Sequence, residues 1–129
     1  MNIPHEIGVA RRIGKYGDAI EVPPGARWLI TSGTPGLDAQ GVLPEGIGAQ
    51  AECAWTHISS MLRLAGMDAN DLVKVTQYLT QACDIAEYAQ VRSRFLGDAR
   101  PASMLLVVPA LVRPEFLLEI EVIAAKGGL

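Results

Sequence analysis

Arg100-Pro101-Ala102-Ser103-Met104-Leu105-Leu106-Val107-Val108, with Glu119-Ile120-Glu121-Val122-Ile123-Ala124 after it, is the part of the chain that decides its fold. Both runs are apolar and strand-like, and they are joined through Pro109 and Arg113-Pro114. Side chains alternate along a strand, so Leu118, Ile120 and Val122 share one face while Glu119 and Glu121 share the other. Ser103 and Leu105 share a face in the same way. If the two runs pair, the Ser103 hydroxyl and a carboxylate come within reach of one shallow site. The plain alternative is a structural serine and two ordinary carboxylates facing solvent, and periodicity alone favours it. The chemical reading requires one carboxylate in a cleft, where it can exchange a proton with a ligand.

Working back from these strands, Ile85, Tyr88, Val91 and Phe95 lie at helical spacing, and Gly97 closes that helix. Its start, Asp84-Ile85-Ala86-Glu87, has the form of a capping box. Asp71 to Thr80 reads as a strand with Val73, Val75 and Leu79 on one face. The clearest helix precedes it. Ala51, Trp55, Ile58, Leu62 and Ala65 form one apolar stripe, and Gly66 suits a left-handed C-terminal cap. Gly33 to Gly46 is a glycine- and proline-rich loop. Asp18 to Val22 and Arg27 to Ser32 read as a hairpin about the Pro23-Pro24-Gly25 turn. The order is β-β-α-β-α-β-β in one domain, residues 1–129, of α+β class. Two amphipathic helices can cover one face of such a mixed sheet, so self-association is expected to cover the other.

Composition bounds the function. Of the 129 residues, 19% are charged against about 25% in an average soluble domain, which again suits a surface hidden against copies of the chain. A net charge of −3, a pI near 5.3 and scattered basic residues run against a nucleic-acid partner. Met1-Asn2-Ile3-Pro4-His5-Glu6 has neither a basic start nor an apolar core, so no signal peptide is expected. The run from Met104 is too short and too broken by Pro109 to span a bilayer, so no membrane partner is expected and a cytoplasmic location is. Cys53 and Cys83 read as free thiols acting as small buried apolar groups. His5 falls in a terminus expected to be mobile, and His57 falls off the helix stripe, which places it at the surface. None of these is spaced as a metal ligand, and no nucleotide-binding fingerprint occurs, so neither metal nor cofactor is expected. Ser32-Gly33, at a strand end, could present backbone N–H groups to an anion.

Taken together and in order, several short stretches resemble the Rid family, the reactive intermediate deaminases of YjgF type. They are Ile13-Gly14-Lys15-Tyr16, Ile30-Thr31-Ser32-Gly33, Asp38-Ala39-Gln40-Gly41, Gln50, Leu64-Ala65-Gly66, Asp71-Leu72-Val73-Lys74-Val75-Thr76, Arg100-Pro101-Ala102 and Glu119 to Ala124. The resemblance covers nearly the whole chain. It implies a chorismate-mutase-like fold with two helices packed on one face of the sheet. It also implies a homotrimer with small-molecule ligand pockets at the subunit interfaces, and hydrolysis of enamines or imines such as 2-aminoacrylate.

By the same resemblance Glu119 positions water, while Tyr16 and Ser32-Gly33 complete the pocket. The family's carboxylate-binding arginine is replaced by Ser103, a frequent cysteine by Leu105, and two frequent asparagines by Ala89 and His57. The expected consequence is altered specificity: a more neutral pocket floored by Leu105, with Arg100 or Arg113 as the cations that could reach in. A trimer that binds a metabolite, or regulates, without catalysis is the competing expectation. Endoribonuclease activity, a name attached to many relatives, fits poorly with the acidic pI and the 5% aromatic content.

Overall fold

The computed structural model describes residues 1–128. Its strands are β1 (Ile3–His5), β2 (Ala19–Glu21), β3 (Arg27–Ile30), β4 (Thr34–Pro35), β5 (Leu72–Leu79), β6 (Ala102–Val107) and β7 (Leu118–Lys126). Helix α1 (Ile47–Leu64) lies between β4 and β5, and α2 (Ile85–Leu96) between β5 and β6. The main sheet runs β3-β7-β5-β6, with β4 also on β7. Among the described strands only β5 and β6 run parallel, and α2 supplies the crossover such a pair needs. This is the expected α+β arrangement, a mixed sheet with two helices on one face.

Helix α1 follows its stripe: Ala51, Trp55, Ile58 and Leu62 are all buried. Its end is a Schellman motif. Gly66 takes φ +71°, its N–H donates to Arg63 O (3.0 Å), and the Met67 N–H donates to Leu62 O (2.8 Å). The α2 face of Tyr88, Val91 and Leu96 closes the core, and Trp55 stacks on Phe95 with ring centroids 6.2 Å apart. Leu118, Ile120, Val122 and Ala124 of β7 belong to the same buried core as the inward residues of both helices.

Four local expectations are corrected. β2 pairs with β1 and not with β3, whose ladder partner is β7. Pro23 and Pro24 lack N–H groups, so the segment between β2 and β3 cannot extend a ladder. The Asp84 side chain caps nothing, because a 3-10 turn over Ala82–Asp84 already holds that residue in helical geometry. The β5 register shifts between Leu72 and Lys74, so Leu72 and not Val73 is buried beside Val75. His5 belongs to β1 and bonds Glu21 across that small sheet, Nε2 to Oε1 at 2.7 Å.

Among the described residues no α-helix covers the second face of the sheet. Trp28 and Ile30 flank the inward Leu29 and are 55% and 72% exposed, and Met104 and Leu106 are also exposed. Among the described residues no helix is long and apolar enough to cross a membrane.

Candidate functional site

The sequence-derived site residues fall into two groups, one on each side of the sheet. Tyr16, Ser103 and Leu105 line one cavity of ≈ 540 Å³ at the β6 edge, under α2. Glu119 lies on the helix-free face beside Ser32-Gly33. A Cβ added to Gly33 would stand 2.8 Å from Glu119 Oε1, so the backbone there runs directly over the carboxylate. The expected convergence of Ser103 and Glu119 does not form within the chain. β5 lies between β6 and β7, pairing Val75 with Ser103 and Tyr78 with Glu119. Residues 75 and 78 have opposite parity, so the two side chains leave opposite faces.

The two β7 carboxylates are not equivalent. Tyr78 donates its hydroxyl to Glu121 Oε1 at 3.1 Å, and that bond raises the Tyr78 phenol above its ordinary value. Glu119 has no hydrogen-bond partner of this kind among the described residues. It is half-buried, and it sits where β4 joins the sheet opposite Pro35. The loop around β4 is held from both ends. Thr31 exchanges bonds with Val122, N–H to O at 3.1 Å and Oγ1 from N–H at 3.0 Å. Gly36 packs on the Gln50 backbone with no room for a Cβ. The buried Gln50 side chain then ties Pro44 O to the Leu117 N–H. His57, expected at the surface, is half-buried and bonds Leu37 O at 2.6 Å, which fixes the same loop to α1.

Tyr16 reaches the cavity because its neighbours are pinned. The Gly17 N–H donates to Pro101 O (3.0 Å), and a Cβ there would meet Arg100 O at 2.7 Å. Asp18 accepts from the N–H groups of Ala10 (2.8 Å), Ile7 (2.8 Å) and Gly8 (3.1 Å). The bond from Ala10, then the one from Ile7, hold its carboxyl below the ordinary 3.8. A depressed carboxyl stabilises the fold at pH values above its unfolded pKa and stops doing so as pH falls through its folded value. The amide resonances of Ile7, Gly8 and Ala10 should therefore titrate together, with a midpoint below 3.8. A midpoint at or above 3.8 would show that Asp18 does not hold this loop.

Sequence reasoning missed the residues that join the cavity to the core. Gln77 is fully buried on β5 in the stripe read as Val73, Val75 and Leu79. Its Oε1 accepts from Tyr88 OH (2.7 Å) and Arg92 Nη1 (2.9 Å). Its Nε2 donates to Ser103 Oγ (3.1 Å) and Met104 O (2.9 Å). Trp55 Nε1 donates to Tyr88 OH at 3.3 Å. Burial pushes the Tyr88 phenol far up, which keeps it a proton donor to Gln77. The signal available in sequence was one polar residue on an apolar alternation, since a buried amide has to find partners.

The expected neutral pocket is also corrected: Arg92 and Lys15 both line it, and among the described residues no carboxylate does. Arg100 is not part of that lining and donates to Gly97 O and Ala99 O at 2.9 Å each. Arg113 lies over the Phe116 ring. Cys53 is half-buried, but Cys83 is exposed, because it sits in the turn that opens α2. Among the described residues no group of three His, Cys, Asp or Glu is placed to hold a metal ion.

A family model described as Endoribonuclease L-PSP matches residues 9–126. The chain is 34% identical over 116 residues to a RutC family protein of Pyrococcus abyssi, covering 88% of each. It is 32% identical over 117 residues to the 2-iminobutanoate/2-iminopropanoate deaminase of Mus musculus, covering 89% of this chain and 84% of the relative. A Rid-family protein of unknown function from Yersinia pestis superposes with a TM-score of 0.83 at 25% identity, over 97% of this chain and 98% of that one.

Proposed function

The chain belongs to the Rid family, whose model carries the Endoribonuclease L-PSP description, and on that premise we propose that it is an enamine/imine hydrolase with altered substrate specificity. The name of the mouse relative supports a deaminase-like role. The observation that carries the mechanism is the contrast on β7: Glu121 is engaged by Tyr78, and Glu119 is left beside Gly33 with its oxygens available. An enamine first tautomerises to the imine. Water held by Glu119 then adds to the imine carbon, and Glu119 takes a proton from it. Glu119 returns that proton to the nitrogen, giving a carbinolamine. The remaining O–H proton then passes to the nitrogen as the C–N bond breaks, and ammonia leaves a carbonyl group behind.

Tyr16, Ser103 and Leu105 lie across the sheet from Glu119, Ser32 and Gly33, so one chain cannot close this site alone. We place the complete pocket between copies: the β6 edge of one meets the helix-free face of the next, and three such head-to-tail contacts close a ring. The exposed Trp28, Ile30, Met104 and Leu106 would be covered in it. Light scattering should give three times 13.8 kDa; a stable monomer would sink the shared pocket. In this reading the enzyme works in the cytoplasm, with Cys53 and Cys83 as thiols.

Imine hydrolysis is tested by generating imino acids with an amino-acid oxidase and following loss of the trapped imine. Acceleration over the blank supports the hydrolase. A trimer with no acceleration favours the second reading, a metabolite-binding or regulatory assembly. That reading has its own support, because Ser103 brings the cavity no charge and Ala89 brings it no polar group.

A further inference from the structure

Among the described residues the cavity beside Tyr16 is lined by two cationic side chains and no acid, in a chain of net charge −3. Ser103 brings no charge to it; α2 does. The Arg92 guanidinium lies over the Tyr88 ring, 5.5 Å from its centroid, and gives one Nη1 bond to the neutral Gln77 Oε1. The Gln77 amide cannot turn over without facing donors with donors, since its Oε1 also accepts from Tyr88 and its Nε2 reaches Met104 O. Arg92 is therefore fixed at one corner by a buried, fully engaged partner. A guanidinium has five N–H donors in a planar fork. Among the described residues no carboxylate pairs with Arg92, and Gln77 is its one hydrogen-bond acceptor. Ser103 Oγ accepts from Gln77, which leaves its own O–H free to donate.

We propose that Arg92 is the ligand-anchoring residue of this cavity and that the ligand carries a carboxylate. The unused edge of the guanidinium binds the carboxylate, with the Ser103 hydroxyl and Lys15 beside it. Because Gln77 and the Tyr88 ring already hold the side chain, little rotamer freedom is lost on binding. That the ligand is a small 2-oxo or 2-imino acid rests on the hydrolase reading; that the cavity takes a carboxylate does not.

Pyruvate, a 2-oxo acid of the product class, serves as the probe, titrated by calorimetry into the wild-type protein, Arg92→Gln and Arg92→Lys. Pyruvate should bind the wild type. Arg92→Gln should weaken binding by about 10- to 100-fold, the value of a charge-assisted bond. Arg92→Lys should fall between the two, since it keeps the charge and loses the fork. Unchanged affinity in Arg92→Gln, or no binding to the wild type, overturns the proposal. If Arg92→Gln does not fold, the Arg92 guanidinium resonance of the wild type gives the answer. It should shift on saturation with pyruvate, and an unmoved resonance overturns the proposal equally. A wild-type protein that binds pyruvate through Arg92 yet hydrolyses no imine would defeat the hydrolase reading and leave this one standing.

Discussion

Glu119→Gln is expected to lower the kcat of imine hydrolysis by about 10²- to 10⁴-fold, the usual contribution of a positioned general acid or base. Glutamine keeps the size and much of the hydrogen bonding of glutamate, so the backbone over Gly33 has no reason to move. In the proposed hydrolysis, what is lost is the ability to take a proton from the attacking water. Glu121→Gln is the matched control. It stands two residues away on the same face, and its amide oxygen can still accept from Tyr78. Activity there should stay near the wild-type level. The assay is initial-rate loss of trapped imine at saturating substrate, with KM read separately. Full activity in Glu119→Gln would remove Glu119 from the mechanism, and equal losses in both variants would point to a general effect of charge on that face.

The largest effect on stability is expected at Trp55. The side chain is 1% exposed, stacks on Phe95 and donates its indole N–H to Tyr88. Trp55→Ala should cost about 3–5 kcal/mol, which combines lost transfer energy with the cavity left between α1 and α2. Small domains have only about 5–15 kcal/mol in total, so the variant would lose much of its margin. Trp55→Phe keeps the ring and removes the N–H, and should cost less. Its indole bond alone is worth about 1 kcal/mol. Urea unfolding at one fixed protein concentration measures both, since association contributes to apparent stability. A loss under about 1 kcal/mol for Trp55→Ala would mean that the helix layer repacks freely around this site.

The loss at Trp55 also bears on the cavity beside Tyr16. Trp55 donates to Tyr88, Tyr88 donates to Gln77, and Gln77 holds both Arg92 and Ser103. The buried members of this chain, Trp55, Tyr88 and Gln77, are all hydrogen-bonded, which is the condition under which a buried network rigidifies a fold.

Local periodicity was enough to read both helices, the β5, β6 and β7 strands and the Gly66 cap, because each depends on residues within a few positions of one another. The stretches Ile13 to Tyr16 and Glu119 to Ala124, with their neighbours, also carried the family. The β2 partner was not legible, since a ladder is chosen by competition among distant strands and the choice of β1 leaves no local mark. The same applies to the site. Sequence alone determined that Ser103 stands in one strand, Glu119 in another, and that each shares a face with its alternate neighbours. Tertiary structure decided that β5 lies between them and sends their side chains to opposite faces. It also decided that α2, crossing from β5 to β6, carries Arg92 into the cavity that Ser103 leaves uncharged. Alternation fixes a direction relative to one's own strand, and only the packing of distant segments fixes what stands opposite.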